Sequence, residues 1–184
     1  PRGAHRHSSP GPLPPPPGPK VPVPPVKDLP ENGELIADPV LRKELAKILK
    51  IEEAEITPKK LSGLTELNLS KKDIKSIQGL QHCVTLKSLN LAYNKIEDLS
   101  PIAELEKLET LLPYGNPFKE LPDLSALKKV KSLDFSYCEN LSDISGIKNM
   151  VWLETLYFQE VYLSDISPIA GLINLKTLGL RYNK

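Results

Sequence analysis

Apolar residues recur in this chain with a period too long for one helix turn or one strand. The run Leu86-x-x-Leu89-x-Leu91-x-x-Asn94-x-Ile96-x-x-Leu99-x-x-Ile102-x-x-Leu105 has copies opening at Leu64, Leu86, Leu108, Val130, Leu153 and Leu175. The steps between openings are 22, 22, 22, 23 and 22 residues. Within each copy, period-two alternation predicts a short strand, a turn at the Asn position, and a return leg. The inward set reads Leu67/Leu69, Leu89/Leu91, Leu111/Pro113, Leu133/Phe135, Leu156/Phe158 and Leu178/Leu180. One copy cannot bury its apolar face alone, so the copies must stack. Upstream the spacing changes. Asp38-Pro39 offers an N-cap and a first-turn proline, and Leu41, Leu45, Ile48 and Leu49 form a helical stripe. A shorter helix from Thr57-Pro58 to about Leu61 completes a pair placed to cover the open end of the stack.

This period and the pattern L-x-x-L-x-L-x-x-N are those of leucine-rich repeats. The expected fold is α/β: a leucine-rich-repeat solenoid with a parallel β-sheet on its concave face, short helical or 3₁₀ return legs and an N-terminal helical cap. The expected divisions are a spacer at 1–27, the cap at 28–63 and six repeats, the last incomplete, at 64–184. Asn94, Asn116 and Asn183 form a ladder able to satisfy backbone groups of neighbouring coils; Lys72, Cys138 and Val161 interrupt it. Pro113 takes a strand position without an N–H to donate, which should weaken pairing on one side of the third strand. The extra residue of the fourth repeat falls after Cys138 and predicts a bulged turn.

Composition changes the picture only at the N-terminus. Of 19 prolines, 11 precede Val26, and residues 1–27 hold Arg2, Arg6, Lys20 and Lys27 with no acid, or +4. The remainder carries 20 basic and 23 acidic residues, or −3, so the basic balance belongs to the tail and gives no support for nucleic-acid binding. Such a proline-rich segment favours polyproline II and reads as a spacer or, alternatively, a ligand for a proline-binding domain. His5 and His7 lack the further ligands of a closed metal site. Residues 29–33, Leu-Pro-Glu-Asn-Gly, read as a turn. Cys83 and Cys138 lie at different phases of coils two repeats apart and are expected to be free, buried thiols. No apolar run is long enough to span a membrane, and the chain is read as a fragment lacking its targeting signals.

The candidate chemistry is recognition. All six tyrosines, Tyr93, Tyr114, Tyr137, Tyr157, Tyr162 and Tyr182, fall on the outward sheet face or its turn edge, whereas Phe118, Phe135 and Phe158 fall on core positions. Exposed tyrosine offers large contact area, a polar tip and little entropy loss. With Asp134, Glu160 and Arg181 these residues form the expected partner-binding surface. The alternative is scaffold habit, since tyrosine suits any strand. No phosphate loop, metal-ligand cluster or paired carboxylates appear, and adjacent His82 and Cys83 do not make a converging catalytic pair. The expectation is a non-enzymatic monomer with no cofactor and no metal.

The return legs carry a finer resemblance. Glu97-Asp-Leu-Ser-Pro-Ile102-Ala103, Ser142-Asp-Ile-Ser-Gly-Ile147 and Ser164-Asp-Ile-Ser-Pro-Ile169-Ala-Gly-Leu172 resemble the repeats of the bacterial internalin family. The helix from Asp38 and the segment Ile56-Thr-Pro-Lys-Lys-Leu-Ser-Gly-Leu64 resemble its helical cap. The resemblance implies a Gram-positive surface or secreted protein whose concave face binds another protein, often a host molecule; relatives that join such repeats to haem-binding modules add iron acquisition as a wider role. An intracellular regulatory scaffold of the phosphatase-regulatory type has the same repeat period and stays open.

Overall fold

The computed structural model describes residues 34–183. The spacer at 1–27, its two histidines, the turn at 29–33 and with it the first residues of the expected cap lie outside them.

Helix α1 spans Pro39–Leu49 and α2 spans Pro58–Leu61. Six three-residue strands follow, one per repeat: β1 Glu66–Asn68, β2 Ser88–Asn90, β3 Thr110–Leu112, β4 Ser132–Asp134, β5 Thr155–Tyr157 and β6 Thr177–Gly179. We number the coils one to six by these strands. Pairing is parallel and in register, Leu67 opposite Leu89 opposite Leu111 and Leu133 opposite Leu156 opposite Leu178. Return legs contain single 3₁₀ turns at Leu80–His82, Ser100–Ile102, Ser145–Ile147 and Ser167–Ile169. Coil three has none; its return leg runs extended and bridges Glu120 to Asp143 of coil four.

Asp38 joins the helices to the repeats. Its Oδ1 caps α1 by accepting from Val40 and Leu41 N–H at 2.9 and 3.0 Å. Its Oδ2 accepts from Lys75 and Ser76 N–H of coil one at 2.8 and 3.1 Å. Burial pushes this carboxyl's pKa up, but four N–H donors outweigh that and hold it below the ordinary value. Leu41, Leu45 and Leu61 are fully buried in the same apolar cluster as the repeat leucines. The α1 stripe differs from expectation in one place: Ile48 lies exposed, and Ala46 is buried instead. Residues 41, 45 and 49 follow the helical i, i+4 spacing, and residue 48 is rotated out of that line.

The sheet is not continuous. It divides into β1–β2–β3 and β4–β5–β6. The rungs lapse there at both ends of the strand: the paired N–H bonds that Glu109 and Thr110 make to Lys87, and Glu154 and Thr155 to Lys131, have no counterpart from Lys131 and Ser132 to Glu109 among the described residues, and a donor is missing further along. In coils one and two, Leu69 and Leu91 N–H donate to Asn90 and Leu112 carbonyls at 2.8 and 2.9 Å, and Phe135 and Phe158 N–H do the same beyond the break. Pro113 stands at the equivalent position in coil three and has no N–H. The core nevertheless crosses this seam. Phe118 meets Phe135 edge-on at 6.3 Å, and Phe135 stacks on Phe158 at 5.6 Å, all three fully buried. Each such side chain stabilises by about 1.5–3 kcal/mol through burial, against roughly 0.5–1.5 kcal/mol for one hydrogen bond. Apolar packing therefore carries the stack where the ladder lapses.

Two more departures follow from local chemistry. The extra residue of coil four is taken up between Cys138 and Leu141, where Leu141 N–H closes a turn onto the Cys138 carbonyl at 2.9 Å. In coil six, Leu178 is 42% exposed and Leu180 is half-buried, unlike their counterparts. Among the described residues nothing packs on the outer side of β6.

Candidate partner-binding edge

Leucine takes the central position of each strand, buried in coils one to five. On the open face one flanking column reads Asn68, Asn90, Leu112, Asp134, Tyr157 and Gly179, and the other Glu66, Ser88, Thr110, Ser132, Thr155 and Thr177. Hydroxyls on β-branched or small residues suit a parallel ladder but project little contact area.

The larger side chains stand at the next turn, on a backbone feature that recurs in every coil. Lys71, Tyr93, Gly115, Tyr137, Glu160 and Tyr182 all have positive φ, between 54° and 70°. They occupy one repeat position. The N–H of each of the first five donates across to the next coil: Lys71 to Ala92, Tyr93 to Tyr114, Gly115 to Ser136, Tyr137 to Gln159 and Glu160 to Arg181, at 2.8 to 3.0 Å. This ladder is unbroken from coil one to coil six, including the Pro113 seam. It fixes where every side chain of the column leaves the backbone.

A left-handed residue with a Cβ is strained by roughly 1–2 kcal/mol, and glycine would avoid that strain. Only Gly115 does so, and it has a second duty. A Cβ there would sit 2.6 Å from Cδ1 of Tyr93, whose ring lies across it. Tyr93 also meets Tyr114 edge-on at 5.2 Å and carries the Lys71 ammonium 5.4 Å from its centroid. The first half of the edge is thus packed on itself.

The second half lacks those ring contacts. Tyr93 is itself 46% exposed, much like Tyr137 at 45%, with Tyr162 at 53% and Tyr182 at 73%; what sets the last three apart is that no ring or lysine partner contacts them among the described residues. Tyr162 is a further left-handed residue, with φ of 64°. Tyr157 is different: it belongs to β5, is half-buried, and its ring covers Gly179 of β6, where a Cβ would approach within 2.3 Å. Asp134 spends one oxygen on the Ser136 N–H at 2.9 Å, closing its own turn. Glu160 lies half-buried between the Tyr137 and Tyr182 coils, and Arg181 is exposed. The expected site residues therefore separate into Tyr93 and Tyr114, in edge-on contact; Tyr157, laid on the sheet; Asp134, engaged in its own turn; and Tyr137, Tyr162 and Tyr182, exposed without a ring partner among the described residues, with exposed Arg181 and half-buried Glu160. Sequence reading missed Lys71 and the left-handed column. The one signal for that column is the glycine at 115 aligned with tyrosines.

Beneath the edge runs the asparagine ladder. Asn94 accepts from Lys72 and Ile74 N–H, both at 3.1 Å, and donates to Leu69 and Leu91 carbonyls, both at 2.8 Å. Asn116 accepts from Ile96 N–H at 3.1 Å and donates to Leu91 and Pro113 carbonyls. Asn183 repeats the arrangement with Leu163, Phe158 and Leu180. Cys138 replaces it with a longer 3.8 Å contact to the Ser136 carbonyl. Both thiols are free and buried. Burial pushes Cys83 up to about 12 and Cys138 up to about 11, the latter against the N–H groups of Asn116 and Gly115. Neither is a thiolate near neutral pH, which removes the Cys83–His82 pair as a nucleophilic site. No group of three or more potential metal ligands converges among the described residues. A cleft of about 410 Å³ lies at the entry to α1, lined in part by Ile36, Arg42, Glu53 and Ile56 and away from the tyrosines; Arg42 there is already paired with Glu34 and Glu53 at 2.8 and 3.0 Å. No described helix is long and apolar enough to cross a membrane.

A family model described as Leucine Rich repeats (2 copies) matches residues 62–104 and 84–126. The chain carries leucine-rich repeats. Among solved structures, this leucine-rich-repeat chain is similar to internalin C2 of Listeria monocytogenes, with 30% identity and a TM-score of 0.66, covering 78% of this chain and 64% of that one. Among sequences it is 33% identical over 115 residues to the disease resistance protein RPP4 of Arabidopsis thaliana, covering 60% of this chain and 10% of that protein. It is 30% identical over 129 residues to an Arabidopsis thaliana homolog of the protein phosphatase 1 regulatory inhibitor subunit PPP1R7, covering 66% of this chain and 39% of that protein. The leucine-rich-repeat chain thus spans a tenth of one of these sequence relatives and about two fifths of the other.

Proposed function

We propose that this leucine-rich-repeat chain is a non-enzymatic protein-binding module, and that it recognises its partner with Tyr137, Tyr162 and Tyr182, flanked by Glu160 and Arg181. The observation that carries this reading is the placement of tyrosine at left-handed backbone in coils two, four and six. A bulky aromatic is held there at a local energetic cost where glycine would relax the turn, and stored strain of that kind concentrates at functional sites. Exposed tyrosines on a rigid row give contact area with little ordering loss.

A displayed peptide library panned against the full chain tests it. Selected peptides should lose about tenfold or more in affinity for a Tyr137→Gly/Tyr182→Gly variant, while its thermal midpoint holds or rises as strain is relieved. Equal binding to both proteins would sink the reading.

The likeness to internalin C2 supports a bacterial surface or secreted role with a host protein as partner. A second reading, an intracellular regulatory scaffold, has its support in the identity to the phosphatase 1 regulatory subunit homolog. A secretion signal in the complete reading frame would favour the first over the second.

A further inference from the structure

Resting on that reading, we infer that the open tyrosine edge of coils four to six takes a basic, proline-rich strand, and that this chain's own residues 16–27 are such a strand. Three independent features meet. The first is spacing. Tyr137 and Tyr182 hold the same position two coils apart. At about 4.8 Å per parallel strand that is roughly 9.6 Å, and one turn of polyproline II, three residues at about 3.1 Å, is roughly 9.3 Å. Prolines three residues apart would therefore meet tyrosines two coils apart. Pro16, Pro19, Pro22 and Pro25 are spaced in that way. Aromatic-lined grooves take such strands because little conformational entropy is lost on docking.

The second is charge. Residues 1–27 carry +4 and the rest of the chain −3. At the turns of coils four to six stand Asp134, Glu139, Glu160 and Arg181, whereas those of the first half bear Lys71, Lys72 and Lys95, the last two paired with Glu44 and Asp73. Lys20 and Lys27 stand in the same proline-rich stretch, and a strand docked there would bring their ammonium groups to that acidic half. The chain already contains such a contact, since Lys71 sits over the Tyr93 ring.

The third is reach. The 18 residues from Pro16 to Glu34 span up to roughly 60 Å when extended. The three-coil step from coil one, where Asp38 anchors the entry, to coil four is about 14 Å. The strand can therefore arrive from its own chain.

Zero-length carbodiimide cross-linking of the full 184-residue chain, read by peptide mass spectrometry, decides this. Lys20 or Lys27 should link to Glu139 or Glu160. The Lys176–Glu154 pair, 2.7 Å apart, supplies an internal control link. The tail links should fall by about fivefold or more in Tyr137→Gly/Tyr182→Gly and when Pro16, Pro19, Pro22 and Pro25 are all changed to Ala, with the control link unchanged. They should also persist on dilution. The inference fails if the control forms without tail links, if tail links ignore the tyrosines and prolines, or if dilution abolishes them, which would assign the strand to a second copy. Should library peptides still require the tyrosines in any of those cases, the protein-binding reading stands and only the choice of occupant falls.

Discussion

Coils one to three and coils four to six share one repeat but solve its turn differently. In the first half, Asn94 and Asn116 satisfy the backbone beneath the turn, and Tyr93 closes over Gly115 and Tyr114 under a lysine. In the second, Cys138 and Val161 take the asparagine positions before Asn183 restores them in coil six, an extra residue enters the coil-four turn, and the tyrosines above have no ring partner. Ring contacts above the turn are thus confined to the first half, while the asparagine bonds below it lapse at Cys138 and Val161 and return at Asn183. The boundary is Pro113, where the sheet divides. The half that gives up internal contacts is the half with groups left over for a partner.

The largest effect expected of this contrast is at Asn116. Asn116→Ala strands the Ile96 N–H and the Leu91 and Pro113 carbonyls, and should cost about 3–5 kcal/mol, several times the effect of Cys138→Ala; chemical unfolding of the two variants compares them. Gly115→Ala comes next. It adds left-handed strain and drives a methyl against the Tyr93 ring, for a loss of about 1–3 kcal/mol. It should also swing Tyr93 outward and make the first half resemble the second, seen as a ring proton shift of Tyr114.

The first half also carries the acid-sensitive anchor. The pKa of Asp38 is lower folded than unfolded. Its contribution to stability is therefore complete above the unfolded carboxylate value of about 3.9 and lost as pH falls through the folded value. The thermal midpoint should drop on acidification below about pH 4, less so in Asp38→Asn, and amides at Lys75 and Ser76 should lose exchange protection first. The smallest effect is at the seam. Pro113→Ala restores an N–H facing coil four, gaining about 0.5–1.5 kcal/mol, and loosens the unfolded chain by a similar amount. Net stability should change by less than about 1 kcal/mol, while hydrogen exchange reveals a protected amide at 113.

Much of this contrast could be read from residues alone. The 22-residue spacing of leucines located all six strands, and the missing N–H of Pro113 located the break, because both are properties of one residue type at one position. The asparagine ladder was legible for the same reason. What escaped was relational. That Tyr93 has a ring and a lysine against it while Tyr137, equally exposed, has neither depends on its neighbours: Gly115 follows Tyr93 in the column, whereas Glu160 follows Tyr137. That Tyr157 lies down depends on Gly179 one strand away. Ile48 was misplaced because it continues the line from Leu45 at i+3 as readily as Leu49 does at i+4, so spacing alone does not say which edge of the stripe faces the core. Backbone handedness left no mark beyond a single glycine in a column of large side chains.

The unbroken run of N–H donors from Lys71 to Glu160 has one more implication. Because main-chain atoms set the direction in which a side chain departs at each of those five positions, the identity of the residue is free to vary without moving its neighbours. Lysine, tyrosine, glycine and glutamate already share the column. The edge works as a row of interchangeable sockets at fixed pitch, so a change of ligand requires new plugs and no new frame.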